Sequence, residues 1–146
     1  MRVLIVAHPD DEILWFAAET FDRIIIVHQG RKDNALQGGH RAAALAAHPL
    51  KDRITCLGLT ESNYWRDPSQ KAHHEQNYTE LCAFLRDLQA DEVTTHNANG
   101  EYGHADHIMV HNACMATLYC PVNGKDPATY RAAKRAYEDN GCWTWH

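Results

Sequence analysis

RVLIVAHPDDE, residues 2–12, is the stretch that decides the fold. Its first half, Val3 to Ala7, is an unbroken apolar run of strand length, the pattern of a strand buried on both faces. Its second half crowds His8, Asp10, Asp11 and Glu12 where that strand surfaces. Such crowding is costly unless a cation occupies it. Far along the chain, GHADH at residues 103–107 repeats the same chemistry after another short strand pattern. The sequence therefore holds two halves of one candidate metal site, and the fold must say whether they meet.

Working outward, strand-like runs at Arg2–Ala7, Ile24–His28, Arg53–Leu57 and Glu92–Thr95 alternate with helical patterns near Ile13–Thr20, Gly39–Ala47, Tyr78–Leu88 and Ile108–Leu118. A last helix is expected over Ala128–Glu138, after Pro127. The alternation predicts an α/β fold, a Rossmann-like, doubly wound, mostly parallel sheet with helices on both faces and strand order 3-2-1-4. Strands one and four then flank the point where the order reverses, and ligands bind at strand carboxyl ends beside it. Both His/Asp motifs follow those two strands, so the half-sites should converge.

At 146 residues the chain is expected to form one domain, residues 1–146, burying roughly two-thirds of its unfolded surface. A net charge of −5 without a basic cluster argues against nucleic acid and anionic lipid as partners. No apolar run approaches the roughly 20 residues of a membrane span, and no secretory signal pattern opens the chain, so a cytoplasmic location is expected. The five cysteines, Cys56, Cys82, Cys114, Cys120 and Cys142, form no CxxC pair and read as reduced thiols.

Imidazole and carboxylate suit zinc, whose catalytic sites commonly take three protein ligands and leave one position open. His8, Asp11 and His107 are the expected ligands. Asp10 stands beside them as general base, able to take a proton from water and pass it to a leaving amine. His104, three residues before His107, can face the same cavity and stabilise an oxyanion. Asp106 is expected to orient one of the imidazoles. Each half alone has a plainer reading as the polar cap of a helix; the pairing at adjacent strand ends favours the metal site.

The segments Ala7–Glu12 and Thr95–His107 resemble the two signatures of the PIG-L/LmbE-like family of zinc-dependent de-N-acetylases, and the likeness runs from Arg2 to about Leu118. The resemblance implies a Rossmann-like fold and hydrolysis of the acetamide of N-acetylglucosamine-type sugars or conjugates to acetate and free amine. It places His8, Asp11 and His107 as zinc ligands, Asp10 as base and His104 as electrophile. Fe2+ or another divalent ion can substitute. Ala105 stands where the family usually has proline, and many relatives carry more carboxyl-terminal structure. The competing readings are an amidase for another acyl group and a metal- or sugar-binding module without turnover. The absence of a GxGxxG motif after the first strand speaks against dinucleotide binding.

Peripheral candidates are Arg41, as a ligand for substrate hydroxyls or phosphate or equally a surface salt bridge, and Tyr102, as an oxyanion partner or, in the favoured reading, ordinary loop packing. Residues 63–77, NYWRDPSQKAHHEQN, read as a polar loop or lid, with Trp65 to stack on a sugar and Arg66 to hold an anionic substituent. A surface loop anchored by Trp65 explains it equally well. His73 and His74 read as solvated. The terminal indoles Trp143 and Trp145 suggest docking on the sheet edge or a homo-oligomer contact.

Overall fold

A computed structural model describes residues 1–118 and, beyond them, residues 132, 135–137, 139 and 140. The helix expected at Ala128–Glu138 falls mostly outside the described residues, and the terminal tryptophans, Cys120 and Cys142 fall wholly outside them.

Strand β1 (Arg2–Val6) occupies the middle of a sheet with β2 (Arg23–Arg31), β3 (Ile54–Glu61) and β4 (Glu92–Thr95) in the order β3-β2-β1-β4, every pair parallel. The predicted order is the observed one. Val3 to Val6 have no exposed surface, and burial of each contributes roughly 1.5–3 kcal/mol. That gain sets β1 at the sheet centre and carries the polar cluster of its carboxyl end in with it.

Alternate side chains feed two cores. Val3, Ile5, Ala7, Ile25 and Val27 pack against α3 (Lys71–Arg86) through Leu81, Cys82 and Leu85 and against α5 (Ala105–Thr117) through Met109, Val110 and Ala113. On the other face Leu4, Val6, Ile24 and Ile26 meet Ala18, Phe21 and, from α2 (Gln37–Ala47), Leu45. Cys82 and Cys114 are buried, and Cys56 is half-buried.

Several boundaries differ from expectation, the largest for local reasons. The helix expected at Ile13–Thr20 is one turn, α1 (Asp11–Leu14), followed by a 3-10 turn at Ala18–Thr20. Asp11 and Glu12 turn inward while Ile13, Leu14 and Trp15 stay exposed, so no apolar face is left to extend the helix. Strands β2 and β3 continue past their apolar runs, through register shifts at His28, to the pairs Gly30 with Thr60 and Arg31 with Glu61. Helix α3 begins at Lys71 rather than Tyr78, so the second half of the expected 63–77 loop is helix. Asp67 accepts the Ser69 amide at 3.0 Å and Pro68 opens the 3-10 turn that leads in; the first turns lie largely on the surface and show no apolar period.

Candidate metal centre and cleft

All four strands deliver polar side chains to one end of the sheet. His8, Asp10 and Asp11 follow β1, Arg31 ends β2, Glu61 ends β3, and His96 follows β4. After β4 the chain runs through α4 (Gly100–Gly103), where Gly100, Glu101 and Gly103 all have positive φ, and directly into α5. Glycine is required at residue 100, because a Cβ there would stand 2.9 Å from Ile108 Cγ1 and 3.1 Å from His107 Cβ. This close approach lets the β4 loop fold under α5 and aims His107 at β1.

His8 Nδ1, Asp11 Oδ2 and His107 Nε2 form a nearly equilateral triangle, with sides of 3.2, 3.3 and 3.3 Å. Tetrahedral zinc with bonds of about 2.0–2.1 Å spaces its ligand atoms about 3.3–3.4 Å apart. The outer nitrogens of both imidazoles face carboxylates: His8 Nε2 bonds Asp106 Oδ2 at 2.9 Å, and His107 Nδ1 bonds Glu101 Oε2 at 2.7 Å. A neutral ring that donates outward presents a lone pair inward. Three converging donors, all buried, repel one another unless a cation lies between them, and the donor set fits a divalent one.

The electrostatics agree. Burial disfavours charge on His8, but Asp106, Asp11 and Glu61 outweigh it and raise its pKa well above the usual value. Burial likewise opposes ionised Asp11, while His107, His8 and His96 hold its carboxyl far below the usual range. Protons on imidazoles balance in the metal-free protein the charge a cation would balance. Glu61 and Glu101 are each held to about 2, against burial, by His8 and Arg41 for the first and by His107 and His96 for the second.

Beside the triangle opens a cleft of about 310 Å³. Of the residues singled out in the sequence, His8, Asp10, Asp11, Arg41, Trp65, Arg66, Tyr102, His104 and Asp106 line it; His107 lies fully buried behind it. Asp10 adopts a left-handed backbone at φ 97, a conformation that costs of order 1–3 kcal/mol and is kept only where surroundings impose it. Burial and neighbouring Asp11 raise its carboxyl pKa, the direction suited to a base.

His104 caps α5, its Nδ1 accepting the Asp106 amide at 3.1 Å. The ring proton therefore sits on Nε2. Burial and nearby His8 lower its pKa to about 4, so the ring is neutral. Trp65 stacks on it with centroids 4.7 Å apart, and Tyr102 stands edge-on to it at 5.9 Å.

Two peripheral readings change. Arg41 is no surface salt bridge: its side chain is 14% exposed, pairs with Glu61 and donates to Gln29 O at 3.1 Å. His74 is not solvated; it stacks on Tyr64 at 4.7 Å, and its Nδ1 is 3.5 Å from Asp106 Oδ1. Several site residues escaped the sequence reading. Glu61 ends β3 and lies 3.1 Å from His8 Nε2, where the strand-end rule would have found it had β3 not been stopped at Leu57. Glu101 and His96 stand in the second motif, but no spacing marks them, because the positive-φ turn brings Glu101 back under His107. His96 accepts the Ala7 amide at 2.9 Å and stacks on His107 at 3.9 Å.

Fold and site together define an α/β protein with a cluster able to hold a divalent cation at the switch point of a parallel sheet. The sequence matches the PIG-L family, described as GlcNAc-PI de-N-acetylase, over residues 3–118, and the chain belongs to that family. It is 25% identical to a 1D-myo-inositol 2-acetamido-2-deoxy-alpha-D-glucopyranoside deacetylase 3 of Catenulispora acidiphila, the match covering 81% of this chain and 44% of the relative. A deacetylase of the same description from Actinosynnema mirum is 28% identical, over 80% of this chain and 54% of its own length. The chain thus spans about half the length of these relatives. No helix among the described residues is long and apolar enough to cross a membrane.

Proposed function

We propose that the chain is a metal-dependent hydrolase that removes the N-acetyl group from a GlcNAc-type sugar or conjugate, releasing acetate and a free amine. The observation that carries this reading is the triangle of His8 Nδ1, Asp11 Oδ2 and His107 Nε2 opening onto a cleft that also presents Asp10 and His104. Family membership and the deacetylase names of the relatives support it.

Those three side chains would hold the metal. Zinc suits the imidazole and carboxylate donors, with Fe2+ as the alternative, and such an ion supplies Lewis acidity and a more acidic water. Asp10 takes a proton from the attacking water and returns it to the departing amine. His104, neutral and protonated at Nε2, donates to the oxygen that gains charge as the acetamide carbon becomes tetrahedral. Asp106 and Glu101 accept the outer protons of His8 and His107 and so would aim the inner nitrogens at a bound metal. At the cleft mouth Trp65 and Tyr102 offer faces for a pyranose ring, and Arg41 and Arg66 offer donors for its hydroxyl or anionic substituents.

The test is to incubate zinc-loaded protein with a panel of N-acetylglucosamine conjugates and measure acetate and amine together, beside a chelated control. Equal, chelator-sensitive release of both is expected. Release of neither, from protein carrying one metal per chain, would leave a binding module in place of the enzyme.

A further inference from the structure

Behind Asp10, away from the metal triangle, lies a second cavity of about 390 Å³ between α1 and α2, reached by Glu12 and His48 and separated from the cleft by Asp10 and Arg41, which line both. Glu12 is 1% exposed. One of its oxygens, Oε2, accepts the Asp10 amide at 2.9 Å. The other, Oε1, lies 3.3 Å from His48 Nε2. His48 Nδ1 accepts the Leu50 amide at 2.9 Å, so the proton of the neutral ring sits on Nε2 and faces Glu12.

From these contacts we infer that Glu12 and His48 are positioning residues for Asp10: a chain from the end of α2 through His48 and Glu12 fixes the left-handed turn that aims the Asp10 carboxylate into the cleft. The inference rests on Asp10 being the base of the proposed reaction.

A plain capping role explains Glu12 less well. Helix α1 has four residues, and the Glu12 carboxylate is spent on the amide of the residue before that helix and on an imidazole from another element. Asp10 itself makes no side-chain cap bond. Its orientation is therefore inherited from its backbone, which is held at φ 97 by Glu12 on its amide and by the Ile13 and Leu14 amides on its carbonyl, at 3.1 and 3.0 Å; of these only Glu12 ties it to another element. Arg41 shares the wall but is engaged by Glu61 and Gln29, which leaves Glu12 and His48 as the support from the α2 side. A small displacement of a catalytic carboxylate is expensive; about 1 Å can cost a hundredfold in rate.

The experiment compares His48→Ala, His48→Gln and Asp10→Asn with the parent chain, all zinc-loaded, on methyl N-acetylglucosaminide. His48 is the better probe than buried Glu12, because its truncation opens onto an existing cavity. Expected for His48→Ala is a fall in kcat of about ten- to hundredfold, with KM and zinc content unchanged. His48→Gln, whose amide can donate to Glu12, should recover most of that loss, and added imidazole should restore part of it in His48→Ala. A second readout needs no turnover: hydrogen exchange at the Asp10 amide should quicken at least about tenfold in His48→Ala while that of Ile5 stays fixed. Parental kcat and parental Asp10 exchange in His48→Ala, with Asp10→Asn inactive, would overturn the inference and leave the base assignment standing. Full turnover by Asp10→Asn would overturn the base assignment and the inference with it.

Discussion

Replacing Glu101 with alanine tests whether the metal centre depends on carboxylates outside the triangle. Glu101 Oε2 takes the Nδ1 proton of His107 at 2.7 Å and lies 2.9 Å from His96 Nδ1, off the line of a good hydrogen bond, while Oε1 accepts the Asn97 amide at 3.1 Å. Truncation strands a donor on a fully buried ring, which costs about 1–3 kcal/mol. It also frees His107 to place its proton on Nε2, the nitrogen that faces Asp11. Loss of such a carboxylate partner usually lowers metal affinity about 10- to 100-fold, or about 1.4–2.7 kcal/mol. Glu101→Gln keeps one acceptor oxygen; if that oxygen serves His107, the amide nitrogen meets the Asn97 N–H, so a loss near tenfold is expected. The assay is competition for Zn2+ between metal-free protein and a chromophoric chelator of known affinity, with circular dichroism to verify the fold. Parental zinc affinity in a folded Glu101→Ala chain would refute the reasoning.

Three further outcomes follow from the same geometry. His107→Ala removes one corner of the triangle, so the purified protein should carry almost no zinc, and full occupancy would remove His107 from the ligand set. Gly100→Ala drives a Cβ to 2.9 Å from Ile108 Cγ1 at a φ of +58; it should destabilise the fold by about 1–3 kcal/mol, read from the midpoint of chemical denaturation, and an unchanged midpoint would contradict the close packing of α4 on α5. Because its carboxylate neighbours raise the pKa of His8 in the metal-free protein against the effect of burial, the ring holds its proton to higher pH than an ordinary histidine. Zinc must displace that proton, so binding should release protons near neutrality and weaken as pH falls. Calorimetry in two buffers of different ionisation enthalpy measures this, and pH-independent binding without proton release would count against it.

How much of this was legible depended on whether a residue's role followed from its position on a regular element. The run Val3 to Ala7 announces a strand buried on both faces, and the alternation of patterns then fixes the order β3-β2-β1-β4 and brings His8 and His107 to adjacent strand ends. Legibility failed where polar contacts override the apolar period. Ile13–Thr20 reads as a helical pattern, yet Asp11 and Glu12 take the inward positions and Ile13, Leu14 and Trp15 stay exposed. The end of β3 is partly exposed and polar, so its apolar run stops early and Glu61 drops from view. The start of α3 carries no apolar stripe, so His74 reads as loop although it stands over Asp106.

The carboxylate partners of the imidazoles, of which the sequence predicts only Asp106 in that role, act in one way. In the three pairs His8 with Asp106, His107 with Glu101 and His48 with Glu12, a carboxylate faces one nitrogen of an imidazole and so bears on what the other nitrogen can do. Ligand type is written in the sequence, because only a few side chains bind a cation; the partner of each ligand is written in the turns. Glu101 reaches His107 by passing through φ 61, and Asp10 faces the cleft by passing through φ 97, conformations that nothing in the local composition advertises for a carboxylate residue. Such strain persists only when surrounding contacts over-determine it. At Asp10 those contacts are Glu12 on its amide and the Ile13 and Leu14 amides on its carbonyl; at Glu101 they are the Asn97 side chain, which accepts its amide at 3.0 Å, and the Asn97 amide and His107 on its carboxylate. The positions hardest to read from the sequence are thus those where the fold spends stability to aim a side chain, and substitutions there should disturb zinc affinity or kcat before they disturb the sheet.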